Sequence, residues 1–253
     1  MTVLLKRTRR VRALVGGTLL IFCAKTHAAA TPTELVDIAS RIDYGFYAAD
    51  PRTLEAAQGT LRQRSSKHAA ETYYSAYAAY RLSQLPGQST PRQFRKLIGE
   101  CIRAARSVTT DPEWSIEAWI LLAACSIEGR KRDHSRALNH ELRLTEALRA
   151  ARTLDPTHPR VLLVDAWAQR GQYGAVDLLD HGYQTQLEQV RARFESWGGT
   201  GIGFDWGRAE VLTELATMHA ANEHRREARD LIEQALIEAP DYHVALSLKN
   251  ELL

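Results

Sequence analysis

The sequence predicts an all-α protein, an α-solenoid of stacked helix-turn-helix hairpins with about ten or eleven helices. Segments 102–112, 148–156 and 232–240 end alike, each with an Ala-rich helical run that stops at a proline. These prolines lie 44 and 84 residues apart, so the second gap is close to twice the first. Repetition at such a period is typical of stacked helical hairpins. Runs in which β-branched or aromatic residues alternate with polar ones, the usual sign of strands, are missing.

Helical periodicity and proline positions set the order of the elements. Asp50-Pro51 and Thr90-Pro91 each resemble an N-cap followed by proline at the first helical position. A single hairpin cannot bury its apolar face alone, so consecutive helices are expected to pair and stack. The predicted helices span 33–47, 51–64, 67–85, 91–109, 113–129, 134–154, 157–171, 174–196, 206–221, 224–238 and 241–252.

These helices are predicted to form one repeat domain behind an export signal. Residues 1–30 are the predicted signal peptide, and residues 31–253 are the predicted single helical repeat domain. Residues 31–65 are expected to be N-terminal capping helices and 241–253 a C-terminal capping helix, because the end units of a solenoid need a more polar outer face. The predicted repeat units are 67–112, 113–156, 157–197 and 206–240.

The first thirty residues have the composition of a secretory signal. A basic start without acidic residues is followed by the short apolar run 13–24 and by Ala28-Ala29-Ala30, which a signal peptidase accepts. Twelve apolar residues fall short of the roughly 20 that span a membrane. General secretion is therefore favoured over an uncleaved anchor, a lipoprotein at Cys23 or twin-arginine export at Arg9-Arg10. The protein is expected to be periplasmic or otherwise exported.

Removal of the signal reverses the net charge. The full chain carries +3, from 33 basic and 30 acidic residues. Residues 1–30 contain six Lys and Arg and no Asp or Glu, which leaves 27 basic against 30 acidic residues and a net charge of −3. A nucleic-acid partner is not expected, because such proteins usually present a strongly basic face.

Two cysteines, Cys101 and Cys125, remain after signal cleavage. They lie on consecutive predicted helices, roughly ten and fourteen residues from the turn at Asp111-Pro112, so an antiparallel hairpin brings them near one level. An exported protein meets an oxidising compartment in which such a pair can close. A disulfide is one hypothesis. The other is that both thiols are small buried residues that pack as apolar groups.

Segment 209–240 resembles a tetratricopeptide repeat. The family pattern of large and small residues is matched by Leu212, Leu215, Ala216, His219, Ala228, Ile232, Ala235 and Pro240. The alanines allow two helix axes to approach closely, and the larger residues fill the gaps between them. The resemblance implies a helical repeat scaffold.

The earlier units match this pattern less well. Asp165 lies where an apolar residue is expected if Pro156 sets the register, and His219 replaces the usual tyrosine. Segments 154–163, 205–210 and 239–242 also look like a largely uncharacterised group of exported tetratricopeptide-like proteins of Gram-negative bacteria. That resemblance implies a fold and a compartment.

In tetratricopeptide stacks the first helix of each hairpin lines a concave face, and this implies a binding groove. Tyr73, Tyr77 and Tyr80 share one helical stripe, which favours either helix packing or phenols that line the groove. Tryptophan and arginine are enriched at binding hot spots. The predicted groove residues are Trp119, Arg160, Trp167, Arg170, Glu210, Thr213, Thr217, Tyr73 and Tyr77.

Segment 196–207 contains five glycines and two tryptophans. It is predicted to be a long turn between repeats, held by Trp197 and Trp206; the alternative is a lip over a ligand surface. Its glycine spacing lacks a nucleotide-binding fingerprint. The histidine pairs lack the spacing of a metal site and no nucleophile motif is present, so catalytic residues, metals and cofactors are not expected.

Two classes of function fit these features. The leading hypothesis is a non-catalytic exported scaffold that binds a peptide segment or partner protein in its concave groove. The alternative is a periplasmic small-ligand-binding protein that serves transport or envelope metabolism. A peptide needs an open strip of spaced anchors, whereas a small molecule needs a closed apolar pocket with a few polar groups. An enzyme is the third and weakest hypothesis.

Overall fold

The computed structural model describes residues 32–64, 68–87, 90–170, 181–198 and 206–252. Throughout these ranges the regular elements are helices, as predicted. A single 3₁₀ turn, His134–Arg136, precedes the sixth α-helix. The α-helices are α1 Pro32–Tyr47, α2 Pro51–Arg62, α3 Ala69–Gln84, α4 Pro91–Val108, α5 Ser115–Arg132, α6 Ala137–Leu154, α7 Pro159–Arg170, α8 His181–Ser196, α9 Arg208–Ala221, α10 Arg225–Glu238 and α11 His243–Leu252.

The predicted caps begin two of these helices. The Asp50 carboxylate accepts the backbone N–H groups of Arg52 and Thr53, and Pro51 occupies the first turn of α2. Thr90 and Gln93 form a reciprocal capping box at the start of α4. These contacts satisfy N–H groups that a helix start leaves without intrahelical acceptors. The signal-peptide prediction for residues 1–30 and the start of the predicted helix 174–196 lie outside the described residues.

Consecutive helices pack as antiparallel hairpins in two layers. The hairpins include α3 with α4, α5 with α6, and α9 with α10. Helices α1, α3, α5 and α7 contact one another in succession, as do α9 and α11, which places the odd-numbered helices in an inner layer. Helix α11 packs on both α9 and α10. The Asp165 carboxylate, at a position where an apolar residue is expected, accepts a hydrogen bond from Arg152.

The hairpin formed by α9 and α10 has the packing that its sequence predicts. Leu215, Ala216, Ala228 and Ala235 have no solvent exposure, and Ile232 has 1%. Alanine brings the two helix axes together, and leucine and isoleucine fill the remaining space. This hairpin is thus stabilised mainly by burial of apolar surface, as in most protein cores.

Among the described residues, the first helix, α1, contacts the start of the last, α11. The Tyr47 ring packs edge-on against Tyr242, with centroids 5.0 Å apart, and the Tyr47 carbonyl oxygen lies 3.1 Å from Nδ1 of His243. The Tyr47 hydroxyl also donates to the Glu210 carboxylate, 3.0 Å away. The inner layer therefore curves until its ends meet, and the concave face becomes the interior of the molecule.

A disulfide joins α4 to α5. Cys101 and Cys125 have Cα atoms 6.3 Å apart and are bonded through their sulfur atoms. Both residues have no solvent exposure. The bond joins the two helices of the α4–α5 hairpin near the middle of each.

Candidate functional site

The centre of the concave face is occupied by the indole of Trp206. This residue has no solvent exposure and directly precedes Gly207, the N-cap of α9. Gly207 has a φ of 106°, a value that disfavours any residue with a Cβ atom. A Cβ there would also lie 2.9 Å from side-chain atoms of Leu163 and Phe194. Glycine thus allows the chain to turn Trp206 inward just before the helix begins.

Side chains from α3 and α7 surround this indole, and we call five of them the Trp206 cage. The Trp167 and Tyr77 rings stack on it, at centroid distances of 6.4 and 6.1 Å and interplanar angles of 22° and 30°. The indole N–H donates to the Tyr73 hydroxyl, 3.3 Å away. Two guanidinium groups complete the cage, each with its central carbon 5.5 Å from the ring: those of Arg81 and Arg160.

Each cage arginine is paired with a buried glutamate. Arg81 donates to Glu210 of α9, and Arg160 donates to Glu117 of α5 over 2.8 Å. Burial opposes ionisation of Glu117, but the charges of Arg160 and His158 and the hydrogen bonds from both residues together outweigh it and hold the pKa of that carboxyl below its ordinary value. Both arginines have no solvent exposure. An unpaired charge buried here would lower the stability of the fold strongly, so the two arginines can be buried only because each is paired with a carboxylate.

Further polar groups connect the cage to α1. The Tyr77 hydroxyl donates to Asp43 over 2.7 Å and accepts a hydrogen bond from Arg81 over 3.0 Å. The pKa of Asp43 is raised to about 6, mainly by burial; the Tyr77 hydrogen bond and the Arg81 charge oppose the rise, and the charge of Glu210 adds to it. Burial also raises the pKa of the Tyr77 hydroxyl well above its ordinary value, so this phenol stays neutral.

One part of the concave face remains partly exposed at its edge. Glu214 of α9 accepts hydrogen bonds from the Trp167 indole N–H and from Arg170, each over 2.8 Å, and from the Tyr183 hydroxyl. The side chains of Arg170 and Glu214 are 28% and 25% exposed. Trp167 and Thr217 are also half-buried. We call this set, Trp167, Arg170, Glu214 and Thr217, the rim patch.

The predicted groove residues therefore fall into two groups. Five are buried, and the expectation that they face solvent in an open groove is wrong for them, because the closed inner layer encloses their side chains: Tyr73, Tyr77, Arg160, Glu210 and Thr213. The other four are half-buried, and three of them belong to the rim patch. Trp119, the fourth, packs against the hydrophobic core.

The hydroxyl groups of both predicted threonines bond within their own helix. The Thr213 hydroxyl donates to the Ala209 carbonyl oxygen, and the Thr217 hydroxyl donates to the Thr213 carbonyl oxygen, each over 2.8 Å. Both hydroxyl hydrogens are directed to the backbone of their own helix, as is common for threonine within helices. Thr217 can therefore offer a partner its methyl group and the acceptor oxygen.

The sequence analysis missed four polar residues of this interior. Arg81 continues the helical stripe of Tyr73 and Tyr77 at the same spacing of four residues, so that pattern contained a signal for it. Asp43, Glu117 and Glu214 have no comparable signal, because their burial results from contacts between distant helices. Trp206 was predicted to hold a turn, and the structure places it at the centre of the concave face.

Comparison with known proteins supports the architecture. No protein-family model matches the chain, and no curated protein matches it at a significant level. The crystal structure of a thermophilic TPR protein from Thermus thermophilus matches it with a TM-score of 0.52 and 15% identity, over 88% of this chain and 97% of that one. The fold is tetratricopeptide-like. At this identity the match supports the fold alone.

We also searched the described ranges for a membrane-spanning helix and for a group of metal-binding side chains. No helix there is both long and apolar enough to cross a membrane. No group of three or more His, Cys, Asp and Glu side chains in those ranges is arranged to hold a metal ion.

Proposed function

We propose that this protein is a non-catalytic scaffold that binds a peptide segment of a partner protein at the rim patch. The tetratricopeptide-like fold supports this proposal, because helical repeats commonly use their concave surface for binding. The observation that carries it is a pair of hydrogen bonds: the Glu214 carboxylate accepts from Trp167 and from Arg170, and both of these side chains remain partly exposed. Tryptophan and arginine are the residues most enriched among binding hot spots.

Fixed side chains favour binding in a second way. A side chain that is already held in one conformation loses less entropy when a partner orders it. Glu214 holds Trp167 and Arg170 from one side, and the buried Tyr183 hydroxyl supports the same carboxylate. The partner is expected to place an apolar or aromatic group on the Trp167 ring and an acceptor near the Arg170 guanidinium.

Site-specific photo-crosslinking in cells tests this proposal even while the partner is unidentified. A photo-reactive amino acid at Thr217, on the rim patch, is expected to give a discrete protein adduct. The matched control carries the same amino acid at Thr145, an exposed threonine of the outer helix α6. Equal adducts from both positions, or none from Thr217, would contradict a partner at the rim patch.

Once the adduct is identified, substitution of Arg170 measures the contribution of the patch. Arg170→Ala is expected to weaken partner binding about five- to tenfold, or about 1 kcal/mol, as hot-spot truncations do. Arg226→Ala removes an exposed arginine from α10 and serves as the control. Isothermal titration calorimetry with the partner segment gives both values. Unchanged affinity in Arg170→Ala would exclude Arg170 from the interface.

We also propose that the protein is exported and that residues 1–30 are removed. The basic start, the short apolar run and the alanine cluster support export, and a disulfide between Cys101 and Cys125 suits an oxidising compartment. The intact mass of native protein tests both features together. We expect the mass of a chain that starts near Thr31, reduced by the mass of two hydrogen atoms. Retention of residues 1–30 would refute cleavage, and two titratable thiols would refute the bond.

A further inference from the structure

We infer that the Trp206 cage is a binding site for an aromatic side chain of a peptide partner, and that the chain's own Trp206 occupies it. This inference rests on the proposed function and extends the rim patch inward. Trp167 belongs to both sets, since one part of it borders the rim and its ring stacks on Trp206. A partner segment that contacts Trp167 on the rim patch would thus have only this indole between itself and Trp206.

The chemistry of the cage suits recognition better than packing. Its members include two arginines, and its immediate neighbours include two glutamates. Buried ion pairs contribute little net stability, and apolar residues of similar volume often stabilise a protein more. A centre that served packing alone would be expected to contain aliphatic side chains, as the α9–α10 hairpin does. Polar groups that persist at such a cost are typical of functional sites.

The Trp206 ring meets stacked rings, cations and a hydrogen-bond acceptor in the cage. Trp167 and Tyr77 stack on the indole, Arg81 and Arg160 place positive charge near the ring, and the Tyr73 hydroxyl accepts its N–H. Cations near the face of tryptophan are more favourable than near any other aromatic side chain. The cage is therefore expected to prefer tryptophan over an aliphatic anchor of similar size.

Trp206 reaches the cage from a turn rather than from a helix. It is the residue before the Gly207 N-cap, whereas the surrounding side chains come from α3 and α7. A tethered group competes with a free ligand at an effective concentration on the order of millimolar. Removal of the Trp206 side chain should therefore make the site available to an added peptide.

The experiment uses the mature chain with Trp206→Ala and a probe peptide, N-acetyl-Gly-Trp-Gly-amide. Isothermal titration calorimetry is expected to show binding at least about tenfold tighter than that of the wild type, because the tethered competitor is gone. The matched peptide with leucine in place of tryptophan should bind Trp206→Ala about tenfold more weakly. Trp119→Ala, which removes a half-buried indole of α5 that packs against the hydrophobic core, should not bind the probe.

Free indole separates a peptide site from a sealed core cavity. A closed cavity left by a packing residue accepts a small ring but offers no path for the flanking peptide backbone. Binding of indole together with binding of the tryptophan peptide supports the inference. Binding of indole alone, or of neither, would overturn it and identify Trp206 as a packing residue.

Trp206→Phe is the second variant, to be used if circular dichroism shows that Trp206→Ala does not fold. The smaller ring keeps the stacking contacts and gives up the N–H bond to Tyr73, so this variant should fold and bind the tryptophan peptide more tightly than the wild type does. Failure of both variants to fold, or a folded Trp206→Phe without peptide binding, would overturn the inference. The crosslink from Thr217 in the wild type is independent of these results, so a failure of the cage leaves the rim patch standing.

Discussion

The α9–α10 hairpin and the Trp206 cage are both buried, yet the hairpin contains alanine, leucine and isoleucine while the cage contains arginine, tyrosine and tryptophan. In the hairpin any apolar side chain of the right volume would serve. In the cage each polar group depends on one particular partner, often on a helix far away in the chain. The hairpin therefore contributes stability with low specificity, and the cage contributes specificity at a cost in stability.

The largest effect is expected from breaking one ion pair of the cage. Arg81→Met keeps the length of the side chain but leaves Glu210 buried without its cation. The free energy of unfolding should fall by about 3–5 kcal/mol, measured by urea denaturation.

The control for this prediction removes the orphaned charge as well. In Arg81→Met with Glu210→Gln, the amide oxygen can still accept hydrogen bonds from the Tyr47 hydroxyl and the Gly207 N–H, which Glu210 accepts in the wild type. At least about half of the lost stability should return. If Arg81→Met alone were as stable as the wild type, the interior would not need the ion pair between Arg81 and Glu210.

A slightly smaller effect is expected in the hairpin. Leu215→Ala deletes a fully buried side chain and should lower the free energy of unfolding by about 3 kcal/mol, because a cavity remains. Leu246→Ala, at a leucine of α11 that is 39% exposed, should change it by less than about 0.5 kcal/mol. If the two substitutions lowered the free energy of unfolding equally, the described packing of α9 against α10 would be wrong.

The smallest effect concerns the charge of Asp43. Its folded pKa of about 6 lies above the ordinary 3.8, so folding favours the protonated form. The wild type should gain stability as the pH falls from about 6 towards 4, and this gain should be lost as the pH rises through 6. Asp43→Asn resembles the protonated form and should be more stable than the wild type at pH 7 by about 1–3 kcal/mol.

Urea denaturation at several pH values tests this difference. The advantage of Asp43→Asn should shrink as the pH falls from 7 to 4, because the wild-type carboxyl takes up its proton. The Tyr77 hydroxyl can still donate to the amide oxygen in the variant. A difference between the two proteins that stays constant over this range would show that Asp43 does not titrate near pH 6.

Local sequence patterns predicted the elements that depend on near neighbours. The caps at Asp50 and Thr90 follow from residue type and proline position, and their hydrogen bonds reach only three residues along the chain. The packing of Leu215 and Ala216 against Ala228 follows from helical spacing within one hairpin. Such contacts do not depend on the overall curvature, and this is why the fold class could be predicted.

The repeat register predicted which residues lie on the concave face, but for five of them the predicted exposure to solvent is wrong. Tyr73, Tyr77 and Arg160 do lie on the inner layer, yet they are buried. The curvature of a solenoid is the sum of small rotations between neighbouring hairpins, and no motif in the sequence specifies that sum. Counting from prolines could therefore place a residue on a face without showing whether that face is open.

Helices, their pairing into hairpins and the apolar packing within each hairpin could be predicted from the sequence, because they depend on periodicity and on residues close along the chain. The meeting of Tyr47 of α1 with Glu210 of α9, 163 residues away, and the place of Trp206 in the concave face become visible in the folded protein. The physical reason is that buried polar groups must find partners wherever the chain brings them. Those partners become defined when the inner layer closes.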